Sequence, residues 1–210
     1  MSASTRILVT GYAAFPGELN ASQILIESCQ AQLPIELLPY AAQLHFAVLQ
    51  QDTKLLWPTV QQLIAHNKPH YCVFTGQAPG RNAINLERFA INWKQIGPTV
   101  NNRPPVGETI LADGPAGVFS TLPRQLEMVD ALCNAGIPAA ISNHGGTNLC
   151  NQILYQSVHY APQFHPVPQT GFFHIPALPQ QVLTQWPQHP AMELATTRRA
   201  LTQVLTMLLQ

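Results

Sequence analysis

The stretch with the clearest potential for chemistry runs from residue 136 to residue 155 and contains the sequence GIPAAISNHGGTNLCNQILY. It predicts a buried strand over residues 137–141, a turn of small polar residues, and then a helix with apolar positions at helical spacing. Cys150 falls at the start of that helix, where unpaired backbone N–H groups and the helix dipole favour a thiolate. We therefore expect a lowered pKa for the Cys150 thiol and a nucleophilic role, with a buried structural cysteine as the alternative.

A cysteine nucleophile needs a base within hydrogen-bond reach and often a third group that orients the base. His174 interrupts an apolar run in a predicted strand, so its ring needs a polar partner. His144, in the turn before Cys150, competes for the same role. Glu87 is the candidate carboxylate, although an exposed position or an ion pair with Arg88 explains it at least as well. The other histidines are predicted to be surface or packing residues: His45, His66, His70, His159, His165 and His189.

Composition excludes several classes of function. Ten basic residues balance ten acidic ones, so no net field favours nucleic acid or an anionic membrane. No apolar run approaches the ~18 residues of a membrane span. The loops at 76–81 and 145–146 lack the spacing of phosphate-binding loops, so we expect no nucleotide. Neither a metal nor a cofactor is expected.

Two further features concern the surroundings of the protein. Cys29, Cys72, Cys133 and Cys150 are widely spaced without a C-x-x-C pair, which argues against a zinc knuckle or a disulfide scaffold and favours a reducing cytoplasm. Charged residues make up only 10% of the chain, which favours a homo-oligomer, although the plentiful Gln and Asn residues could also solvate a monomer. We expect a dimer or a tetramer.

The elements that must position these residues alternate between strands and helices. This alternation predicts one domain over residues 1–210, an α/β/α sandwich with a mostly parallel, twisted central sheet. Helices are predicted after a cap at Asn20 or Ser22 and over residues 55–66, 122–135 and 191–209. Strands are predicted over residues 7–11, 35–40, 44–49, 71–75, 84–93, 137–141 and 171–175. Irregular segments are predicted over 97–117 (a loop or lid) and 161–170, and residues 176–190 are predicted to be mostly irregular.

Four segments, in order along nearly the whole chain, resemble the motifs of the pyroglutamyl peptidase I family (pyrrolidone-carboxylate peptidases). They are ILVTGY at 7–12 with Phe15 and Asn20-Ala21-Ser22, then Gly76-Gln77-Ala78-x-Gly80-Arg81 with Glu87-Arg88, then GIPA at 136–139 with Gly146-Thr147-x-Leu149-Cys150-Asn151, and finally Gly171-Phe172-x-His174-Ile175-Pro176 with Pro179 and Gln181.

The resemblance implies a cysteine peptidase that removes an N-terminal pyroglutamyl residue from small peptides with a blocked N-terminus, through a thioester acyl-enzyme. Cys150 would be the nucleophile and His174 the general base and then acid, while Glu87 would orient the imidazolium. The Cys150 backbone N–H would help to hold the oxyanion.

The resemblance also assigns a substrate pocket. Tyr12 and Phe15 match the aromatic pair that encloses the lactam ring. Asn20 and the backbone of Gln77 stand where the lactam carbonyl and N–H would be bound. Apolar walls with two or three hydrogen bonds and no charge suit a neutral cyclic amide.

This chain departs from the family pattern around the triad. Tyr12 stands where phenylalanine is usual, Pro16 falls within a run that is usually Pro-Phe-Gly-Gly, and Asn148 replaces an aromatic residue. These changes bear on substrate preference, because Pro16 removes an N–H and fixes φ in the loop. Hydrolysis of another small amide or lactam, and a binding protein without turnover, remain alternatives.

Overall fold

A computed structural model describes residues 4–96 and 106–210. The helices are α1 (Ala21–Ala31), α2 (Leu56–Asn67), α3 (Gln125–Asn134), α4 (Leu149–Tyr160), α5 (Pro179–Thr184) and α6 (Leu194–Leu209), with 3-10 helices at Ile35–Gln43 and Ala161–Gln163. The strands are β1 (Ile7–Tyr12), β2 (Leu44–Leu49), β3 (Tyr71–Gln77), β4 (Ile84–Glu87), β5 (Phe89–Ile91), β6 (Lys94–Gln95), β7 (Gly107–Glu108), β8 (Gly117–Phe119), β9 (Ala139–Ser142) and β10 (Gln169–Ile175).

Six strands form the central sheet in the order β2-β1-β3-β10-β4-β9. Neighbouring strands are parallel except at the junction of β10 and β4, which is antiparallel. In this register His174 lies opposite Gly76 on β3 and Asn85 on β4. Residues opposite each other project to the same face of a sheet, and so does Glu87, two positions after Asn85. The antiparallel junction therefore brings Glu87 diagonally next to His174.

Apolar side chains cover both faces of the sheet. One cluster packs α1, α3 and α6 against it, and the other packs α2 and α4 on the opposite face. The interior strand β1 is buried along its whole length, as expected for a parallel strand covered on both sides. The prediction of an α/β/α sandwich with a mostly parallel sheet is confirmed.

The prediction of one strand over residues 84–93 is wrong, because the chain changes partners at Arg88. The Arg88 N–H donates to the Ser142 carbonyl beyond the end of β4. The Arg88 carbonyl then accepts from the Ser120 N–H, next to β8. From that residue onward β5 pairs with β8 in a separate two-stranded sheet, so the alternating pattern serves two different sheets.

Of two predictions about proline-containing segments, one is wrong. Residues 35–40 form part of the 3-10 helix Ile35–Gln43, because Pro39 has no N–H to give to a strand ladder. Residues 176–190 are mostly irregular, as predicted, apart from α5, which begins at Pro179, where a proline in the first turn removes only an N–H that has no helical partner.

Helix α3 begins later than predicted, and the strand that follows it, β9, is less buried than predicted. The helix begins at Gln125 rather than at residue 122, after Arg124 with a φ of 59°. Met128 and Leu132 are its buried residues, whereas Leu126 is 65% exposed. Strand β9 is only partly buried because it is the edge of the sheet.

The predicted loop or lid at 97–117 lies partly outside the described residues. In the described part of this segment β7 pairs with β6, and β8, which begins at Gly117, pairs with β5. Among residues 4–96 and 106–210, no helix is long and apolar enough to cross a membrane. The same ranges contain no group of three or more histidine, cysteine or acidic side chains that could hold a metal ion.

Candidate active site

A cavity of about 510 Å³ opens where β1, β3 and β10 end. Tyr12 and Gln77 are the last residues of β1 and β3, and His174 is the last but one of β10. The carboxyl ends of parallel strands are the usual place for a site in an open α/β sheet. Six of the seven residues predicted for the site line this cavity: Tyr12, Phe15, Asn20, Gln77, Cys150 and His174.

Glu87, the seventh, lies directly behind His174. Its Oε1 is 2.7 Å from His174 Nδ1, and its side chain is 1% exposed. Burial alone would raise the pKa of Glu87, but the hydrogen bond from His174 and the charge of Arg81 outweigh it, so the pKa is lowered. An ionised carboxylate accepts the Nδ1–H and leaves Nε2 as the basic nitrogen of a neutral imidazole. Burial, aided by Arg81, lowers the pKa of His174 despite the opposing effect of Glu87.

Arg81, not Arg88, is the ion-pair partner of Glu87. Its Nη1 lies 2.8 Å from Glu87 Oε1, the same oxygen that His174 contacts. Its Nη2 donates to the His144 carbonyl at 2.7 Å and so joins the loop after β3 to the turn before Cys150. Arg88 itself is exposed. The guanidinium thus balances the buried carboxylate and fixes the cysteine turn.

Cys150 is the second residue of α4 and lies close to β3. A Cβ placed on Gly76 would come within 3.0 Å of the Cys150 Sγ, so the absence of a side chain there makes room for the thiol. Because Gly76 is the register partner of His174, the thiol and the imidazole face the same small space. Of the two candidate bases, His174 lines this cavity, whereas His144 is exposed and is engaged through its carbonyl.

The expectation of a lowered Cys150 pKa is wrong for this resting structure. Burial raises the pKa of the thiol to about 12, and the negative charge of Glu87 adds to the effect. The backbone N–H of Cys150 and the charge of Arg81 oppose the rise but do not overcome it. The helix start lowers the pKa of the thiol, as predicted, but the loss of solvation of the thiolate raises this pKa by more. Cys150 therefore rests as a thiol in the cavity that the neutral imidazole of His174 also lines.

The two aromatic residues of the predicted pocket differ in position. Tyr12 is 4% exposed, and its hydroxyl donates to the Leu149 carbonyl at 3.1 Å in the first turn of α4. Burial and the neighbouring Cys150 raise the pKa of Tyr12 well above its ordinary value, so the hydroxyl remains a donor. Phe15 is 52% exposed at the mouth of the cavity. The wall is thus closed at Tyr12 and open at Phe15.

Asn20 caps α1 and is tied to Tyr12 through Ser22. The Asn20 Oδ1 accepts from the Ser22 N–H at 2.9 Å and from the Ser22 hydroxyl at 2.7 Å. The same hydroxyl accepts from the Tyr12 N–H at 2.9 Å. Because Oδ1 faces these donors, Nδ2 is left with no hydrogen-bond partner within the described ranges. An amide N–H donor is thereby available on the cavity wall.

Three polar residues of this arrangement were not predicted. Arg81 pairs with Glu87, Ser22 links Asn20 to Tyr12, and Asn151 binds the backbone of Ile91 through both its carbonyl oxygen and its amide nitrogen, each at 2.9 Å. A basic residue in a glycine-containing loop, within a chain that has only ten Lys and Arg, was the available signal for Arg81. Asn151 gives no such signal, because its partner Ile91 is 60 residues away in sequence. Ser22 was expected only as a possible helix cap, although its partners Asn20 and Tyr12 are 2 and 10 residues away.

An α/β sandwich that places a helix-start cysteine beside a histidine–carboxylate pair has the architecture of a cysteine hydrolase. Comparison with known proteins specifies the family. The family model described as pyroglutamyl peptidase matches residues 5–210. The chain is 35% identical over 206 residues to a pyrrolidone-carboxylate peptidase of Finegoldia magna, covering 95% of this chain and 91% of the relative. It is also 35% identical over 204 residues to one of Gloeobacter violaceus, covering 97% and 96%.

Solved structures agree with these relatives. The crystal structure of pyroglutamyl peptidase I from Bacillus amyloliquefaciens superposes with a TM-score of 0.84 at 28% identity, over 98% of this chain and 97% of the other. A mutant pyrrolidone carboxyl peptidase from Pyrococcus furiosus gives a TM-score of 0.81 at 27% identity, over 96% of both chains. The chain belongs to the pyroglutamyl peptidase family.

Proposed function

We propose that this protein hydrolyses the amide bond that follows an N-terminal pyroglutamyl residue, with Cys150 as nucleophile, His174 as general base and acid, and Glu87 as the group that orients His174. The observation that carries the proposal is the 2.7 Å pair between His174 Nδ1 and Glu87 Oε1, located behind the cavity that Cys150 lines. Membership of the family supports the choice of substrate.

The resting protonation states determine the first step. The Cys150 thiol gives its proton to His174 Nε2 as Sγ attacks the carbonyl carbon of the pyroglutamyl residue. The backbone N–H groups at the start of α4 have no helical acceptor and stabilise the oxyanion that forms. Glu87 stabilises the imidazolium.

The intermediate then collapses in two stages. His174 returns the proton to the leaving amine as the C–N bond breaks, which leaves a thioester on Cys150. Water, deprotonated by His174, attacks the thioester and releases pyroglutamic acid, and the proton returns to the thiol. No metal or cofactor takes part in this proposed sequence.

Recognition of the lactam follows from the walls of the cavity. Tyr12 supplies a flat apolar surface, and Phe15 closes over the ring from the mouth. The Asn20 amide nitrogen suits the lactam carbonyl, and the Gln77 backbone at the end of β3 lies where it can meet the remaining polar edge. A cavity of about 510 Å³ leaves room for the residue that follows pyroglutamate.

The test compares hydrolysis of a fluorogenic pyroglutamyl amide by the wild type, by Cys150→Ser and by the control Cys133→Ser. Cys133 is exposed and lies away from the cavity, so its substitution changes a thiol without touching the site. We expect activity in the wild type and in Cys133→Ser, and a loss of at least ~10³-fold in Cys150→Ser. Full activity in Cys150→Ser, or no activity in the folded wild type, would refute the proposal.

We also propose a homo-oligomer, a dimer or a tetramer, located in the cytoplasm. The low content of charged residues supports association. All four cysteines are free thiols, which suits a reducing compartment.

A further inference from the structure

A fully buried carboxamide, that of Gln181 on α5, lies behind the predicted pocket and uses both its amide hydrogens and its carbonyl oxygen in hydrogen bonds. The side chain is 0% exposed. Its Oε1 accepts from the Leu178 N–H at 2.9 Å, and its Nε2 donates to the Leu19 carbonyl at 2.8 Å and to Gln77 Oε1 at 2.7 Å. Because Leu178 N–H can only donate, the orientation of the amide is fixed.

The groups that Gln181 binds lie on both sides of Asn20. The Leu19 carbonyl precedes Asn20, and the Ala21 N–H, which follows it, donates to Gln77 Oε1 at 2.7 Å. Gln77 Oε1 thus accepts from Gln181 and from Ala21 together. The peptide groups on either side of Asn20 are held through the buried amide of Gln181 and the half-buried amide of Gln77, and the end of β3 is held with them.

We propose that Gln181 is a positioning residue for lactam recognition, which sets the place of Asn20 and the orientation of the Gln77 side chain without touching the substrate. The inference rests on the proposed function of the cavity. It assigns Gln181 to the substrate wall and not to the nucleophile, because none of its hydrogen-bond partners is Cys150, His174 or Glu87.

The substitution Gln181→Glu tests the direction of the hydrogen bonds at nearly constant shape. It replaces a nitrogen that donates to two oxygens by an oxygen that repels both, the Leu19 carbonyl and Gln77 Oε1. Gln181→Leu removes the same donors without adding charge. Gln180, the neighbouring residue of α5, is exposed, so Gln180→Glu provides a matched control for charge and position.

Two measurements separate this inference from the proposed reaction. The first is KM and kcat with a fluorogenic pyroglutamyl amide. The second is protection of Cys150 from alkylation by iodoacetamide in the presence of 2-pyrrolidone, the bare lactam, followed by peptide mass spectrometry in a Cys133→Ser background. Protection reports lactam binding without turnover, so it remains informative even if the wild type hydrolyses nothing.

We expect Gln181→Glu and Gln181→Leu to raise both KM and the half-protecting concentration of 2-pyrrolidone by about tenfold or more. We expect kcat and the unprotected alkylation rate to stay within about threefold of the wild type, and Gln180→Glu to match the wild type. Unchanged protection with a lowered melting temperature would show a purely structural role. A fall in kcat at unchanged KM would place Gln181 with the nucleophile. Either result overturns the inference, and Gln181→Leu decides the matter if Gln181→Glu does not fold. Protection of a wild type without turnover would refute the peptidase alone.

Discussion

Replacing Arg81 tests how the site sets the basicity of His174. The Arg81 and His174 nitrogens lie 2.8 and 2.7 Å from one oxygen of Glu87. The positive charge lowers the pKa of His174 and opposes the rise of the Cys150 pKa. In Arg81→Gln the pKa of His174 should therefore rise, and the imidazole should become protonated, and inactive as a base, at a higher pH than in the wild type.

The size of the effect follows from the geometry. Two nitrogens that approach one carboxylate oxygen along separate lone pairs are ~5 Å apart, and unit charges at that distance interact by about 1 to 3 kcal/mol for effective dielectric constants from ~80 to ~20. The Arg81 side chain is 26% exposed, which favours the lower half of this range. An energy of about 1.4 kcal/mol corresponds to about a tenfold change. We expect kcat/KM on the acid side of its pH profile to fall about tenfold more than at the optimum.

The assay is the dependence of kcat/KM on pH between about pH 5 and 9, in which the acid limb reports the base of the free enzyme. Arg88→Gln removes the same charge from an exposed neighbour of Glu87 and should leave the acid limb in place. Arg81→Lys keeps the charge and should return the acid limb of the profile most of the way to its wild-type pH, although lysine cannot bind Glu87 and the His144 carbonyl together. An acid limb that stays fixed or moves to lower pH in Arg81→Gln would refute the reasoning.

Two further substitutions test packing around the site and in the core. Gly76→Ala places a Cβ 2.7 Å from Phe172 Cζ and 3.0 Å from Cys150 Sγ. We therefore expect kcat for pyroglutamyl amide hydrolysis to fall by about tenfold to a hundredfold. An unchanged kcat would show that the position of the thiol does not require a glycine at residue 76. Leu132→Ala should lower the free energy of unfolding, measured with urea, by about 2–5 kcal/mol. Leu126→Ala, at a 65% exposed position of the same helix, should change it by less than about 0.5 kcal/mol. Equal losses of stability would contradict the assignment of the buried face of α3.

The strands of the sheet centre were predictable because their burial on both faces leaves an uninterrupted apolar pattern. β1 and β3 are such runs, and each ends where a site residue stands. Two features were not predictable in this way: the edge of the sheet at β9, and the point at which the chain passes from the central sheet to the sheet formed by β5 and β8. The change of partner at Arg88 takes a single residue and leaves the alternation of residues 84–93 intact, so no local pattern reveals it.

The residues of the candidate site likewise fall into two groups, those that a local sequence pattern reveals and those that it does not. Cys150, His174 and Glu87 were identified because each interrupts a pattern or matches a motif. The partner of Glu87 could not be chosen from sequence, since Arg81 and Arg88 are both near in the chain and only the turn after β3 brings Arg81 to the carboxylate. Gln181 acts through partners up to 162 residues away, and such contacts exist only after the sheet has assembled, whereas Ser22 binds Asn20 and Tyr12 within ten residues of itself.

The raised pKa of Cys150 and the recognition of a neutral ring have one physical origin. A lactam carries no charge, so the proposed pocket can be walled by Tyr12 and by the packed start of α4, and these contacts partly bury the thiol. Burial then disfavours the thiolate more than the helix start favours it. In the proposed reaction the thiol consequently ionises only as His174 accepts its proton, with Glu87 already ionised to stabilise the imidazolium. Charge thus develops at the moment of attack, beside donors that are fixed in advance, so the desolvation that weakens the resting nucleophile strengthens the stabilisation of the oxyanion.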